Sequence, residues 1–391
     1  NGECQYSDAN GNLFEEACTV QSTGCFAKCV CYSGYGGSSC ALDPTAAITR
    51  DTTRATLCNT IVAISGSDDI SFSLLDSIIN YLYIAYDPNE VQSEQSKAVC
   101  YEALSVLSGY SAAGFLSDAS KTLVVDVISK FVLDAASQAV VSRRRMQEDN
   151  ITLSVNGTSP EPVVEVNRNA SRAVDQAMSD ISTGMLSNLA SGEDPVAYSN
   201  DQVNLVVVKA PASSVTALTP PQSGAYGTSI ELTSAATESF ENSDGTVQAS
   251  AIVWAVNPFP NATSLESPPL RMQVFSDQPI GSRRRAAETP NVADFYIVQQ
   301  LTGEAAFDFT LTIAQAIDIF VPNFTYPECS YYDGVGYQPC EGCWVSTYTN
   351  DNVTYACPIG ALFFGGSAAV DGARKLQTAT VTASSRSSAR W

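Results

Sequence analysis

Twelve cysteines in 391 residues fall into three clusters, and no other feature limits the possible folds as much. Six lie in the first forty residues, at Cys4, Cys18, Cys25, Cys29, Cys31 and Cys40. Cys58 and Cys100 stand apart, and Cys329, Cys340, Cys343 and Cys357 lie near the other end. The interval between Cys100 and Cys329 holds none. An even number in local groups is the pattern of a disulfide framework, which persists in oxidising compartments. The expected location is therefore extracellular or at the cell surface, and the clusters divide the chain into modules. Six cysteines admit fifteen connectivities, so spacing alone assigns no pairing in the first cluster.

Histidine is absent from the whole chain. Ser-His-Asp and Cys-His nucleophiles, histidine general bases and histidine metal ligands are thereby excluded. Many carboxylates are present, yet no pair stands out at a meaningful spacing, so a carboxylate-dependent glycosidase has no motif and the chain is expected not to be an enzyme. Net charge is −21, which disfavours nucleic acid and anionic membrane as partners. No run matches an EF-hand loop, so calcium is conceivable but unsupported, and no cofactor other than N-linked glycan is expected. Apolar residues make up 45%, which fits a globular chain of about two or three domains. No apolar stretch reaches the eighteen or so residues of a membrane span. The start, Asn-Gly-Glu-Cys, is not a signal peptide and reads as a processed end.

Six Asn-x-Ser/Thr triplets occur, at Asn150, Asn156, Asn169, Asn261, Asn323 and Asn352. Glycan attachment needs accessible backbone, so these positions are expected in surface loops. Basic runs at Arg143–Arg145 and Arg283–Arg285, and Arg374-Lys375 near the end, read as exposed loops or processing sites, with Arg145, Arg285 and Lys375 as the candidate positions.

Residues 43–195 carry helical spacing. Leu74, Leu75, Ile78, Ile79 and Leu82 repeat before the Asp87-Pro88 stop. A second segment, Val91–Leu107, is expected to end at Gly109. A third starts at the N-cap Ser117 and carries the stripe Leu123, Val127, Phe131 and Ala135. The fourth carries Val174, Met178, Ile181, Met185 and Leu189. Cys58 and Cys100 are read as a disulfide tying the first helical segment to a later one, with two buried thiols as the rival. Residues 196–372 read as short strands: Leu205–Val208, Ser229–Leu232, Ala249–Val256, Met272–Phe275, Phe295–Val298 and Phe307–Ile313, separated by Pro and Gly clusters. An antiparallel β-sandwich is the natural architecture. The fold class is multidomain α+β: a small disulfide-rich module at 1–42, a helical subdomain at 43–195, a sandwich at 196–372, and a Ser/Thr-rich tail at 373–391. Alone, that tail would be disordered; if ordered, strand addition to a neighbouring subunit is the expected reason.

The run Cys29-Val-Cys31-Tyr-Ser-Gly34-Tyr35-Gly-Gly-Ser-Ser-Cys40 resembles the C-terminal half of EGF-like modules. That resemblance implies the pairings Cys4–Cys25, Cys18–Cys29 and Cys31–Cys40. Calcium-binding members carry an acidic cluster before the first cysteine; here only Asn1 and Glu3 are near Cys4. At 329–366, Cys329-Ser-Tyr331-Tyr332-Asp333, Gly342-Cys343 and Thr354-Tyr355-Ala356-Cys357 resemble the GPS hairpin that closes GAIN domains, with Tyr in place of Trp. The resemblance implies helices followed by a β-sandwich. After Cys357 comes Pro-Ile-Gly-Ala-Leu-Phe-Phe, with no His and no Ser, Thr or Cys at the scissile position, so self-cleavage is not expected. Within the last cluster, Cys340–Cys343 and Cys329–Cys357 is one of three possible assignments and the one expected. EGF-bearing secreted glycoproteins build the mastigonemes, or flagellar hairs, of heterokont algae, and the chain resembles one. The implied role is a structural glycoprotein of an extracellular filament or flagellar surface, self-associating or bound to other glycoproteins. The alternative is an adhesion or signalling ectodomain of a GAIN-containing membrane protein.

Overall fold

Helix ends form where short polar side chains can hold the first free backbone N–H groups. The computed structural model shows this at four helices. Asp43 Oδ1 accepts from Ala46 N at 2.9 Å, and Pro44 follows as the first helical residue. Ser71, Ser93 and Ser117 cap the next three helices by accepting from Leu74, Ser96 and Ser120 N. The structure describes residues 1–7, 13–14, 17–19, 25–66, 71–114, 116–149, 162–221, 228–259, 269–276, 295–300, 325–332, 337–339, 343–348, 352–357, 370–371 and 374–387.

The elements in chain order begin with strands β1 (Gly2–Ser7), β2 (Leu13–Phe14) and β3 (Phe26–Cys31). Helices α1 (Pro44–Ser65), α2 (Phe72–Ala85), α3 (Glu94–Ala112), α4 (Asp118–Asp149) and α5 (Pro162–Asn188) follow. Then come β4 (Val196–Ser199), β5 (Val203–Pro211), β6 (Ala217–Leu218), β7 (Thr228–Leu232), α6 (Ser234–Phe240), β8 (Thr246–Trp254) and β9 (Leu270–Ser276). The remaining strands are β10 (Phe295–Gln300), β11 (Thr325–Tyr332), β12 (Tyr337–Pro339), β13 (Trp344–Tyr348), β14 (Asn352–Cys357), β15 (Val370–Asp371) and β16 (Arg374–Ser387). The chain is thus mixed helix and antiparallel sheet. It divides into two compact units: Asn1–Ser187 with Val256–Asn261, and Asn188–Ala255 with Ala262–Trp391.

In the first unit, a small sheet of order β2-β1-β3 carries the first cysteine cluster. Cys18 is bonded to Cys25 and Cys31 to Cys40. The EGF-type pairings Cys4–Cys25 and Cys18–Cys29 are therefore corrected. The cause is register: Cys4 lies opposite Cys29 in the β1–β3 ladder, whereas Cys25 precedes β3, four residues earlier in the chain. That is about 13 Å of extended chain, beyond the roughly 7 Å limit for Cα atoms of a disulfide. The end of the cysteine module is held to the helices by Gly37 N donating to Asn89 O and by Gln92 Nε2 donating to Tyr35 O.

Helix α1 lies within the expected helical region but carries no stripe that the sequence singles out, because its exposed face is Thr-rich and its apolar stripe is thin. Its buried residues are Ala47, Cys58, Ile61 and Ser65. Cys58 and Cys100 are bonded, tying α1 to α3. The α2 stripe Leu75, Ile78, Ile79 and Leu82 is buried, as are Val127, Phe131 and Ala135 on α4 and Val174, Met178, Ile181 and Met185 on α5. Gly109 does not end α3. The helix continues to Ala112, and the left-handed residue after it is Gly114, at φ +80. Gly184 of α5 passes so near α3 that a Cβ there would overlap the carbonyl of Ser111, and Ser108 Oγ donates to Asp180 Oδ2 at 2.9 Å beside it. Only glycine permits that approach.

In the second unit, one sheet has the order β12-β11-β16-β9-β8-β5-β4, with β15 on β16; the other has the order β13-β14-β10-β7-β6. Every strand pairing among the described residues is antiparallel. The two sheets share one core. Val206, Val208, Ala249, Ala251, Met272 and Val274 of the larger sheet meet Leu218, Ile230, Val353 and Tyr355 of the smaller, with Phe240 of α6. Every residue of β8 is buried, so its second face, with Gln248, Ser250, Ile252 and Trp254, is covered as well. Ser250 Oγ donates there to Gln273 Oε1 at 3.1 Å. The expected strand Phe307–Ile313 lies outside the described residues.

The tail departs from expectation. Residues 374–387 form β16, paired on one side with β9 and on the other with β11 of its own chain. Low hydrophobicity predicts disorder there, but alternating Thr, Ala and Val suits a strand whose backbone groups are satisfied on both edges. Donation of this strand to a neighbouring subunit is thereby replaced by pairing within the chain.

Candidate functional site

The hairpin β13–β14 lies in the segment expected, from its sequence, to resemble a GPS hairpin. Its ladder pairs Trp344 with Ala356 and Val345 with Tyr355, then shifts register at a bulge before Thr347 and Thr354. Continuing that ladder by one step sets Cys343 opposite Cys357, and the two are bonded with Cα atoms 4.3 Å apart. The expected pairings Cys329–Cys357 and Cys340–Cys343 are corrected on this ground: hairpin register delivers Cys343 to Cys357 before any other partner. Cys329 lies in β11 of the other sheet, opposite Ala383, and Cys340 lies outside the described residues. Cys357, Tyr355 and Val353 are fully buried in the shared core, while β14 also pairs with β10. The disulfide therefore fastens the edge strand β13 to a strand anchored on both sides. The sequence after Cys357 that would carry a scissile bond lies outside the described residues.

A buried group of ionisable side chains sits in the helical unit. Asp134 of α4 is buried and receives Tyr86 Oη at 2.8 Å and Tyr101 Oη at 3.2 Å on Oδ2, while Lys97 Nζ lies 3.1 Å from Oδ1. The ring of Tyr86 stacks on Phe131 with centroids 3.7 Å apart. Burial pushes both phenols well above their ordinary range, and the neighbouring Asp134 carboxylate pushes in the same direction. Each oxygen of Asp134 thus faces a donor, and the donors come from α3 and from the residue just after α2. A carboxylate saturated in this way holds elements together rather than accepting a substrate proton. No motif singles these residues out. The one sequence signal is an acidic residue three positions after Phe131, beside an apolar helical stripe.

Two further clusters have the same character. Asp51 of α1 accepts from Gln92 N, Ser93 N, Ser93 Oγ and Ser96 Oγ at the start of α3, at 2.7 to 3.1 Å. Partial burial opposes ionisation of Asp51, but these hydrogen bonds outweigh it and hold the carboxyl below its ordinary value. Arg54 donates from Nη1 to Ile84 O and Ala85 O, both at 2.8 Å, and pairs through Nε with Glu90 at 2.6 Å. Lys130 donates to Tyr83 O and Tyr86 O from the other side and lies 3.7 Å from the Tyr83 ring centroid. Two cations at the end of α2 satisfy carbonyls that have no partner inside the helix and match the negative end of its dipole.

The sequons and basic runs are dispersed. Asn150, Asn156, Asn261 and Asn323 lie outside the described residues. Asn169 is exposed, but on α5 rather than in a loop, and the hydroxyl of its triplet partner Ser171 is buried and donates to Pro258 O at 2.6 Å. Asn352 opens β14 opposite Gln300, again within an element. Arg145 falls inside α4 and Lys375 inside β16, opposite Ser276, so neither sits in an irregular loop; Arg285 lies outside the described residues. Among the described residues, no group of three or more Cys, Asp or Glu is arranged to hold a metal ion, and no helix is long and apolar enough to cross a membrane.

No family model matches the chain, and no curated protein matches it. Among solved structures, it is similar to the full extracellular region of zebrafish Gpr126/Adgrg6, at 10% identity and a TM-score of 0.32. The match covers 68% of this chain and 34% of that one, so the chain spans about a third of that protein's length. A likeness of that size does not assign the chain to a family.

Proposed function

We propose that the chain is a non-catalytic structural glycoprotein of an extracellular assembly. The observation that carries this reading is the use made of its reactive and charged side chains. Cysteines fasten strands and helices to one another, and the Asp134, Asp51 and Arg54 clusters join helix to helix. Disulfides at 18–25, 31–40, 58–100 and 343–357 support an oxidising compartment. The filament form of the reading, a subunit of a flagellar hair, rests on the resemblance of the sequence. Electron microscopy of the native material tests it: fibres with a regular repeat are expected, and monomers at every concentration would overturn the filament. Turnover of a glycan or peptide substrate, abolished by one carboxylate substitution, would overturn the non-catalytic part.

A second reading is an adhesion or signalling ectodomain that does not cleave itself. One observation favours it: β16, which follows the cysteine-closed hairpin in sequence, is held between β11 and β9. A membrane-spanning segment encoded beyond Trp391 would support this reading. A single band of full mass on a reducing gel is expected under either reading, and two fragments parted near Cys357 would exclude both as stated.

A further inference from the structure

The β1–β3 ladder contains a pairing that no EGF-type framework has. Tyr32 N donates to Asn1 O at 2.9 Å, so Asn1 and Tyr32 form a hydrogen-bonded pair at the end of the ladder. Such pairs alternate with non-hydrogen-bonded ones, in which opposite Cα atoms are about 4.5 Å apart and the residues are closest. Counting along the register, Gly2 and Cys31 form a non-hydrogen-bonded pair, and so do Cys4 and Cys29. Residues two apart on a strand share a face, so positions 2, 4, 29 and 31 lie on one face of the ladder. The Cys31–Cys40 bond already uses that face at position 2. A Cβ there would meet Cys40 Sγ and Val30 O at 2.6 Å, and glycine leaves the room. One step further along, the ladder offers two cysteines at a separation a disulfide spans without backbone movement. The other four cysteines of the cluster are engaged with each other.

We propose that Cys4 and Cys29 are joined by a cross-strand disulfide, giving the first cluster the connectivity Cys4–Cys29, Cys18–Cys25 and Cys31–Cys40. In the step, two thiols lose two protons and two electrons as the S–S bond forms. The electrons pass by thiol–disulfide exchange, through a mixed disulfide, to the disulfide of an oxidoreductase of the secretory compartment, which leaves as a dithiol. Both sulfur bridges then lie side by side on one face of β1–β3. The module is a stapled ladder rather than the interleaved EGF framework. This connectivity does not depend on the functional reading above.

The full secreted chain provides the test. Unreduced protein is alkylated, denatured at mildly acidic pH to suppress exchange, and cleaved after Glu3, Glu15, Glu16 and Lys28. The expected map links the peptide 4–15 to the peptide that begins at Cys29, and shows 17–28 closed on itself. Linkage of 4–15 to 17–28, and of 17–28 to the peptide beginning at Cys29, would overturn the proposal, as would alkylated Cys4 and Cys29. In a Cys4→Ser variant, one alkylatable thiol is expected among the first forty residues, at Cys29; a thiol released at Cys25 would contradict it. If that variant is not secreted, the wild-type map decides.

Discussion

Asp51 joins α1 to the start of α3 by accepting four hydrogen bonds, and its carboxyl is held below the ordinary value. A depressed carboxylate contributes stability above its unfolded pKa, near 3.9, and that contribution is lost as pH falls through the folded value. An Asp51→Ala variant should therefore unfold at lower urea than the parent at neutral pH and converge on it as pH falls through the lowered folded value. Urea midpoints that stay parallel across that fall in pH would refute the assignment. Asp134 is a harder case, because its removal leaves Lys97 and two phenols buried without their acceptor. Asp134→Ala should cost about 3–5 kcal/mol, and an apolar replacement of both Asp134 and Lys97 should recover much of it. A double variant no better than the single would show that the charges are not what the packing requires. Arg54→Ala should cost about 2–3 kcal/mol, since it frees two carbonyls and leaves Glu90 without its close partner. Chemical denaturation reads both.

At the scale of elements, the Cys58–Cys100 bond closes a loop of 42 residues between α1 and α3. Loop-closure entropy places its contribution at about 4 kcal/mol. Replacing both cysteines by alanine should lower stability by roughly that amount while leaving helix content unchanged at low denaturant, as circular dichroism would report. The Thr-rich α1 depends on such fastening. Its propensity is weak, since β-branched threonine loses side-chain freedom in a helix. Its stability comes from the cap at Asp43, from the disulfide, and from Asp51 and Arg54 reaching to neighbouring elements.

At the scale of the whole molecule, β16 is an interior strand supplied by the chain's last residues. Deleting residues 374–391 exposes the edges of β9 and β11 at once and opens the larger sheet in its middle. The truncated chain should fail to be secreted or lose most of its strand signal. A truncated protein with the parent's urea midpoint would show that β16 is dispensable. The same element illustrates where sequence reasoning stops. Its Ser/Thr-rich composition reads as a solvated tail because composition measures what a segment can bury by itself. A central strand is held by backbone hydrogen bonds from two neighbours, and those neighbours, β11 and β9, lie roughly fifty to a hundred and ten residues earlier in sequence.

Much of the helical unit was legible in the sequence. The stripes of α2, α4 and α5 are periodic, and Ser117 sits where an N-cap must, because helical periodicity and capping are local properties. The order of the long helices before the two larger sheets follows from sequence in the same way. The pairing of Cys18, Cys25, Cys343 and Cys357 did not, because which thiols meet there depends on register. The ladder sets Cys4 against Cys29, and the hairpin sets Cys343 against Cys357. Nor did the Asp134 cluster, whose members come from three separate segments and share no motif. Local physics determined which segments are helical or extended. Only the tertiary structure decided which side chains face one another, because those distances are properties of packing and not of neighbours along the chain.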